Sequence, residues 1–249
     1  MPIQTACITD ELIQTANAVL WPSRCLSCGE PASPGQPLCG ACWEGLRDAC
    51  SDYACPRCGA VVSEEAAKNS MCGFCINKKL YIDGFARSGR YESTLRNLVL
   101  MLKHSENAAL IKLVRILAAS AFQNRFASER IDCVCPVPLH WTRRWARGFN
   151  QAGVLAEGLK SIGIPSRTEL TRKKQTKPQP VMQSYSKRMK NVRGAFAVKR
   201  FADVRRKSIL LADDVRTSGA TLNECARVLK EAGAERVYAL TLTVPAGQI

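Results

Sequence analysis

The stretch "ILLADDVRTSGAT", residues 209–221, joins an apolar run, two carboxylates and a small polar turn. The apolar residues predict a buried strand, and Asp213 and Asp214 follow it directly. The turn at 217–221 is rich in hydroxyls, contains one glycine and leads into a helical pattern. This order of strand, acidic pair, turn and helix is typical of the ligand-binding edge of a parallel α/β sheet.

The turn at 217–221 has the composition of a phosphate-binding loop. The first N–H groups of a helix have no partner inside the helix, and a glycine lets the backbone approach a ligand closely. Asp213 and Asp214 cannot bind that phosphate, but they suit the vicinal hydroxyls of a neighbouring polyol or its magnesium ion. A phosphorylated ribose fits both halves of the pattern. The alternative interpretation is an acidic pair on an ordinary strand-to-helix turn.

The rest of the C-terminal part alternates between strand and helix patterns. Helices are predicted at 91–104, 108–122, 151–162 and 219–232, and strands at 131–139, 208–213 and 236–244. Such alternation predicts an α/β fold with a parallel sheet and helices on both faces. Residues 171–193 show no usable period and are rich in cations, so they predict a long mobile loop with a function.

Length and composition are those of a globular protein. The chain has 249 residues, 46% of them hydrophobic, which accommodates one good core and a small second unit. No apolar run approaches the ~18 residues of a membrane span. Asp10 and Glu11 near the N-terminus argue against a signal peptide, so a cytoplasmic location is expected.

The positive charge is concentrated in one segment. The chain carries a net charge of +15, and residues 141–207 hold 18 Lys and Arg against three acids, which accounts for the whole surplus. This concentration predicts a face that binds phosphates. A solvated run of charge is the alternative.

The cysteines form an internal repeat. A CxxCG knuckle is followed by a CGxC knuckle, and the same pair occurs a second time. Two such turns complete a tetrahedron of thiolates, which is the arrangement of structural zinc rather than catalytic zinc. Sequential pairing predicts one site at Cys25, Cys28, Cys39 and Cys42 and another at Cys55, Cys58, Cys72 and Cys75, while crossed pairing stays open. Redox-active or disulfide-forming pairs are the alternative chemistry.

Other candidate groups are interpreted more simply. Cys7, Cys50 and Cys225 have no CxxC partner and are taken as plain thiols, and Cys133 and Cys135 are expected to face one side of the core. The two histidines, His104 and His140, are isolated and are interpreted as packing or loop residues.

The chain resembles the ComF family, which is associated with competence for DNA uptake. The resemblance rests on "ILLADDVRTSGAT", on "CPVPLHWTRRWARGFNQA" at 135–152 and on "TRKKQTKPQPVMQSYSKRMKNVRGAF" at 171–196. The first is similar to the phosphoribosyl pyrophosphate (PRPP) motif of type I phosphoribosyltransferases. The resemblance therefore implies a double zinc-ribbon domain at 1–80, with two structural Zn²⁺ sites, and a phosphoribosyltransferase-like domain at 81–249.

The resemblance also assigns ligand-binding residues. It places PRPP, with Mg²⁺, on Asp213, Asp214, Val215, Arg216, Thr217, Ser218, Gly219, Ala220 and Thr221. It implies a pyrophosphate loop with Arg143, Arg144 and Arg147, and a lid with Thr176, Gln179, Arg188 and Asn191. Purine phosphoribosyltransferases carry an acid where this chain has Thr217, so no general base is evident.

Two functions follow from these features. The first is a PRPP-binding protein that serves DNA uptake by binding single-stranded DNA, together with proteins of the uptake machinery. For this role the expected contacts are Tyr185 as a stacking surface and the lysines Lys173, Lys174, Lys177, Lys187 and Lys190. The second is an active phosphoribosyltransferase that acts on an unidentified nitrogen acceptor.

Overall fold

A four-stranded parallel sheet forms the centre of the larger domain. The computed structural model describes residues 23–68, 72–139, 141–142, 145, 148–174 and 185–246. The strands lie in the order β1, β6, β5, β2, with β1 at Gly84–Arg90, β2 at Cys133–Pro136, β5 at Ser208–Val215 and β6 at Arg236–Val244. A separate antiparallel pair is formed by β3 at Leu170–Arg172 and β4 at Phe196–Val198.

Helices cover both faces of this sheet. On one face lie α3 (Ser93–Leu102), α4 (Ala108–Phe126) and α5 (Gln151–Lys160), and on the other lies α7 (Ala220–Glu231). Along β5, Leu210 points to the first face and Leu211 to the second, as a strand's period of two requires. The predicted α/β fold class is confirmed. Among the helices described, none combines the length and hydropathy that a membrane crossing requires.

The prediction of an irregular loop at 171–193 was wrong in its described part. Residues 170–172 form β3, and Tyr185–Val192 form an eight-residue helix, α6, which packs against α7. The apolar residues of α6 are Tyr185, Met189 and Val192, a spacing of four and then three residues that places them on one helix face. Three cations interrupt this face in sequence, so the helical period was not evident.

Two small cysteine-containing units precede the sheet and pack against it. The first contains α1 (Gly40–Cys50) and the second α2 (Glu64–Lys68). Glycines permit the close approach: a Cβ atom at Gly89 would lie 2.4 Å from the Ala49 carbonyl oxygen, and one at Gly59 would lie 2.2 Å from the Phe85 ring. Arg90 of β1 adds an ion pair to Asp52 at 2.7 Å. The boundary near residue 80 stays a prediction.

Candidate functional site

The cysteines of each unit form one tetrad. The four Sγ atoms of Cys25, Cys28, Cys39 and Cys42 lie within 4.8 Å of one another, and so do those of Cys55, Cys58, Cys72 and Cys75. The structure therefore groups the knuckles sequentially. Every cysteine in the described part of the chain is a free thiol, so the knuckles hold no disulfide there.

The tetrads have the dimensions of a zinc–thiolate centre. A tetrahedron with Zn–S bonds of ~2.3 Å has S–S edges of ~3.8 Å. The Sγ separations are 3.7 Å for Cys28–Cys39, 3.9 Å for Cys55–Cys75 and 3.5 Å for Cys58–Cys72. The hydrogen bond between Cys58 and Cys55 lowers the pKa of Cys55 to about 4 and raises the pKa of Cys58, so these two thiols share a proton when no metal is bound. Both tetrads suit structural zinc.

We expect two zinc ions per chain. Four thiolate ligands at these distances leave no coordination position for water or substrate, so the metal is structural. Because each cysteine unit has little apolar core, metal binding should contribute free energy to its folding. Elemental analysis of the pure protein should give two equivalents, and Cys58→Ser should lose one of them. Cys50→Ser is the control, because this thiol lies outside both tetrads. Less than one equivalent, with all thiols freely titratable, would contradict the assignment.

The acidic pair lies at the carboxyl edge of the sheet. Asp213 is in register with Thr241 of β6, and both carboxylates are half-buried. Asp213 Oδ1 accepts from the Asp214 N–H at 3.0 Å, and Asp214 Oδ1 accepts from the Val215 N–H at 2.8 Å. Burial and the neighbouring charge of Asp214 raise the pKa of Asp213 well above its ordinary range. A cation or a set of hydroxyl donors would relieve this repulsion.

The turn at 217–221 connects this edge to α7. Gly219 has a φ of 80°, a left-handed conformation that favours glycine, and is the N-cap of α7. The Ser218 hydroxyl accepts from the Ala220 N–H at 3.3 Å, and Thr217 is exposed. The acidic pair and the helix N-terminus are therefore brought to one edge, as the sequence predicts.

Arg216 is arranged differently from the rest of this segment. Its backbone N–H donates to the Thr243 carbonyl at 2.9 Å, which continues the strand pairing. Its side chain is only 2% exposed and lies 4.9 Å from the Phe74 ring and 5.8 Å from the Phe85 ring. The guanidinium thus faces the second cysteine unit, and Arg216 can contribute only its backbone to a ligand at the edge.

Two polar residues of α7 that sequence analysis missed hold the helix in place. Asn223 Oδ1 accepts from the Tyr81 N–H at 2.7 Å, and Asn223 Nδ2 donates to the Lys79 carbonyl at 2.9 Å. Glu224, 1% exposed, accepts from the Gly194 N–H at 2.8 Å and pairs with Arg227 at 2.7 Å. The only signal for these contacts in the sequence was that Asn223 and Glu224, both polar, occupy positions at which an amphipathic helix faces its neighbours.

The predicted phosphate-binding residues are only partly described. The predicted residues Arg143, Arg144, Arg147, Thr176, Lys177 and Gln179, together with His140, lie outside the described residues. Lys173 and Lys174 follow β3 and are exposed. On α6, Lys187 and Lys190 are exposed, and Arg188 and Asn191 lie on the same helix.

The stacking role of Tyr185, a half-buried residue, stays a prediction. Its ring lies 4.7 Å from the Lys78 ammonium, and its hydroxyl lies 3.5 Å from Asn223 Nδ2. Other aromatic residues are exposed in the basic segment: Trp145 is 86% exposed, Trp141 66% and Phe201 91%. Cys133 and Cys135 are both buried in the core on the α7 side, as predicted.

The matches to known sequence families agree with this geometry. The phosphoribosyl transferase domain matches residues 105–246, which contain the sheet edge and the turn into α7. The chain belongs to the phosphoribosyl transferase domain family. A second match, to the double zinc ribbon domain, covers residues 16–76 and both cysteine tetrads.

This phosphoribosyl transferase family member is similar to several relatives over most of its own length and most of theirs. The chain is 27% identical to Competence protein F of Haemophilus influenzae over 223 residues, 86% of this chain and 93% of that protein. It is 28% identical to DNA utilization protein YhgH of Escherichia coli K12, covering 87% and 94%. Competence protein ComFC of Bacillus subtilis is 27% identical, covering 84% and 85%. The resemblance to the ComF family is confirmed.

Solved structures show a more distant likeness. An allosteric regulatory enzyme of purine biosynthesis aligns at a TM-score of 0.39 with 19% identity, covering 57% of this chain and 30% of that one. Glutamine PRPP amidotransferase from Bacillus subtilis aligns at 0.39 with 18% identity and the same coverage.

Proposed function

We propose that this protein binds PRPP with magnesium at the carboxyl edge of its sheet and binds single-stranded DNA on its basic segment, in the service of DNA uptake. The observation that supports the PRPP half is the placement of Asp213 and Asp214 beside the turn at 217–221. A half-buried acidic pair with one raised pKa sits next to a helix N-terminus, so one edge offers both hydroxyl acceptors and phosphate donors.

The roles of the chain's own residues follow from their chemistry. The carboxylates of Asp213 and Asp214 accept hydrogen bonds from the two vicinal hydroxyls of the ribose. The N–H groups at the start of α7 and the hydroxyls of Thr217 and Thr221 donate to the 5-phosphate. The pyrophosphate is assigned to the loop that contains Arg143. Magnesium, a hard cation that prefers oxygen ligands, supplies neutralisation of the pyrophosphate charge and fits an edge that carries two carboxylates.

The connection between β3 and β4 is proposed as a lid. It contains α6, whose exposed face carries cations, and it starts after Arg172 of β3, whose charge acts on Asp213. We expect that PRPP lowers hydrogen exchange within 173–192, because a lid that closes on the ligand excludes water. Exchange in α1 serves as an internal control. Unchanged exchange throughout 173–192 at saturating PRPP would contradict the lid.

The single-stranded DNA half is supported by charge and exposed aromatic rings. The three most exposed aromatic rings among the described residues, those of Trp141, Trp145 and Phe201, fall within the basic segment at 141–207, whereas Tyr53 is exposed outside it. The Arg200 guanidinium lies 5.4 Å from the Phe201 ring, and Lys199 and Arg167 line a groove of about 370 Å³ beside it. Cations for the backbone and rings for the bases are what sequence-tolerant binding of single strands uses. The names of the relatives, competence and DNA utilization, agree with this role.

An active phosphoribosyltransferase is the second candidate, favoured by the complete acidic pair and turn. In that reaction the bond from C1 of the ribose to the pyrophosphate oxygen breaks, and a nitrogen acceptor forms the new bond to C1 and releases its proton. Thr217 cannot take that proton as a carboxylate could, so the acceptor would need to lose it to another group.

A pyrophosphate-release assay across a panel of nucleobases and amines separates the two candidates. The binding-protein proposal expects release no faster than the background hydrolysis of PRPP with every acceptor. Acceptor-dependent release that is lost in Asp213→Asn would establish the enzyme instead.

A further inference from the structure

Arg216 is a buried cation without a hydrogen-bond partner in the described structure. Its side chain is 2% exposed, and its Nε, Nη1 and Nη2 atoms are all unpaired. A buried charge is strongly unfavourable unless an opposite charge or a set of acceptors compensates for it. The rings of Phe74 and Phe85 compensate in part through their π faces, at 4.9 and 5.8 Å.

The group that faces Arg216 is the second cysteine tetrad. Phe74 lies in the knuckle between Cys72 and Cys75, so the ring against the guanidinium belongs to the metal-binding turn itself. Phe85 is tied to the other knuckle, because its N–H donates to the Pro56 carbonyl at 2.8 Å. Burial lowers the pKa of Arg216, and the sulfur atoms of Cys58, Cys72, Cys55 and Cys75 act in the opposite direction.

Charge arithmetic makes this arrangement complementary. Four thiolates around one Zn²⁺ carry a net charge of −2, and a guanidinium is a permanent cation with five N–H donors. We propose that Arg216 is the counter-charge of the second zinc–thiolate centre and thereby couples zinc at that tetrad to PRPP at the edge. The coupling half rests on the proposed function, whereas the counter-charge half does not.

The position of Arg216 in the chain provides the coupling. It lies between Asp214 and Thr217, in the segment whose backbone forms the proposed ligand site. Its side chain therefore anchors this segment to the second cysteine unit. Further contacts join the same parts: Lys78, three residues after Cys75, lies 3.0 Å from the Phe74 ring centroid and 4.7 Å from that of Tyr185 on α6. The second unit and the residues that follow it therefore contact Arg216 just before the turn, Tyr185 of α6 and Asn223 of α7.

The first tetrad is an internal control. Its unit contacts α3 instead, where Thr94 Oγ1 donates to the Cys42 carbonyl at 2.9 Å and Asn97 Nδ2 lies 3.1 Å from Ser27 Oγ. Arg24, beside its first knuckle, is exposed and donates to the Gly29 carbonyl at 3.0 Å. The proposal therefore predicts an effect on one zinc ion of the two.

Equilibrium competition between the full chain and a chromophoric chelator tests the counter-charge. In Arg216→Gln, one zinc equivalent should bind roughly 10- to 100-fold more weakly, the usual effect of losing a residue that supports metal ligands. Arg24→Gln should leave both equivalents unchanged. A folded Arg216→Gln protein with two wild-type zinc affinities overturns the proposal. If Arg216→Gln does not fold, Arg216→Lys decides, because it keeps the charge: retention of both zinc ions supports the proposal, and weakened binding of one in a folded protein overturns it.

The same titration with saturating PRPP tests the coupling. Linkage is reciprocal: if zinc at the second tetrad raises the affinity for PRPP, then PRPP raises the affinity for that zinc by the same factor. In the wild type, saturating PRPP should therefore strengthen the binding of one zinc equivalent by roughly 5- to 150-fold. Wild type that binds PRPP without any change in zinc affinity overturns the coupling. If the wild type does not bind PRPP, the proposed function is refuted. The zinc affinity of Arg216→Gln then still tests whether Arg216 is the counter-charge of the second zinc–thiolate centre.

Discussion

Replacing Asp213 and Asp214 together by asparagine should abolish the stabilisation of the fold by PRPP. A ligand at 100 times its dissociation constant stabilises the native state by ~2.7 kcal/mol, and the wild type should show that increase in its free energy of unfolding. The double variant keeps the shape of the edge but loses both charged acceptors of the ribose hydroxyls and the charge that attracts magnesium. Denaturant unfolding with and without magnesium and PRPP measures the difference.

The apo form of the same variant should be at least as stable as the wild type near neutral pH. The folded-state pKa of Asp213 is raised by burial and by Asp214, so the native state holds this proton more tightly than the unfolded chain. Wild-type stability therefore falls as the pH rises from the unfolded pKa of ~3.9 through the raised folded value, and asparagine removes this loss. Asp203→Asn is the control, because Lys207 lowers the pKa of this exposed carboxyl, which is the opposite of the shift at Asp213. A double variant that retains the full PRPP effect would contradict the site.

Binding of single-stranded DNA should weaken steeply with salt. Each phosphate neutralised on a single strand contributes a slope of about −0.7 to the dependence of log affinity on log salt. If roughly four to six phosphates are held, a rise from about 50 to 200 mM salt lowers the affinity about 50- to 300-fold. Fluorescence anisotropy of labelled oligonucleotides of several sequences measures both the slope and the expected lack of sequence preference.

Lysine replacements locate the DNA on the protein. Changing Lys173, Lys174, Lys177, Lys187 and Lys190 to glutamine should lower the affinity and flatten the salt slope while PRPP binding stays unchanged. The double variant Lys187→Gln with Lys190→Gln has a charge-matched control in Lys103→Gln with Lys112→Gln, outside the basic segment. If the five-lysine variant keeps full DNA affinity at 150 mM salt, the DNA does not bind at these lysines and must bind elsewhere on the basic segment. If the wild type does not bind single-stranded DNA even at 50 mM salt, the proposed DNA-binding role is wrong.

Competition between the two ligands distinguishes a shared site from separate sites. The arginines assigned to pyrophosphate are also DNA-binding candidates, so a shared site requires PRPP to displace the oligonucleotide. Independent binding would place the DNA on the exposed lysines after β3 and on α6.

Local patterns in the sequence predict most of the edge correctly. The carboxylates and the turn are contiguous, and a buried strand of period two ending before a helix start determines where they lie. The cysteine knuckles are equally local, and their spacing predicts the sequential tetrads. By contrast, β1 has the sequence "GFARSGR", and its strand conformation depends on pairing with β6 and on Gly89, which admits the first cysteine unit.

Contacts between distant segments are what sequence patterns leave out. Arg216 looks like one more residue of the PRPP motif, yet its side chain is committed to Phe74, about 140 residues earlier in the chain. Tyr185 was expected as a stacking surface, and its ring also has the Lys78 ammonium at 4.7 Å. In each case the deciding partner is brought close only by packing of the second cysteine unit against the sheet, which no local period encodes.

Isothermal titration calorimetry of the wild-type chain with PRPP is the most direct measurement of the central claim, that the carboxyl edge binds this ligand. With magnesium present the account predicts saturable binding at one site per chain, lost when magnesium is omitted and lost in the Asp213→Asn, Asp214→Asn protein. No binding heat at millimolar PRPP with magnesium, together with no thermal shift, would contradict it.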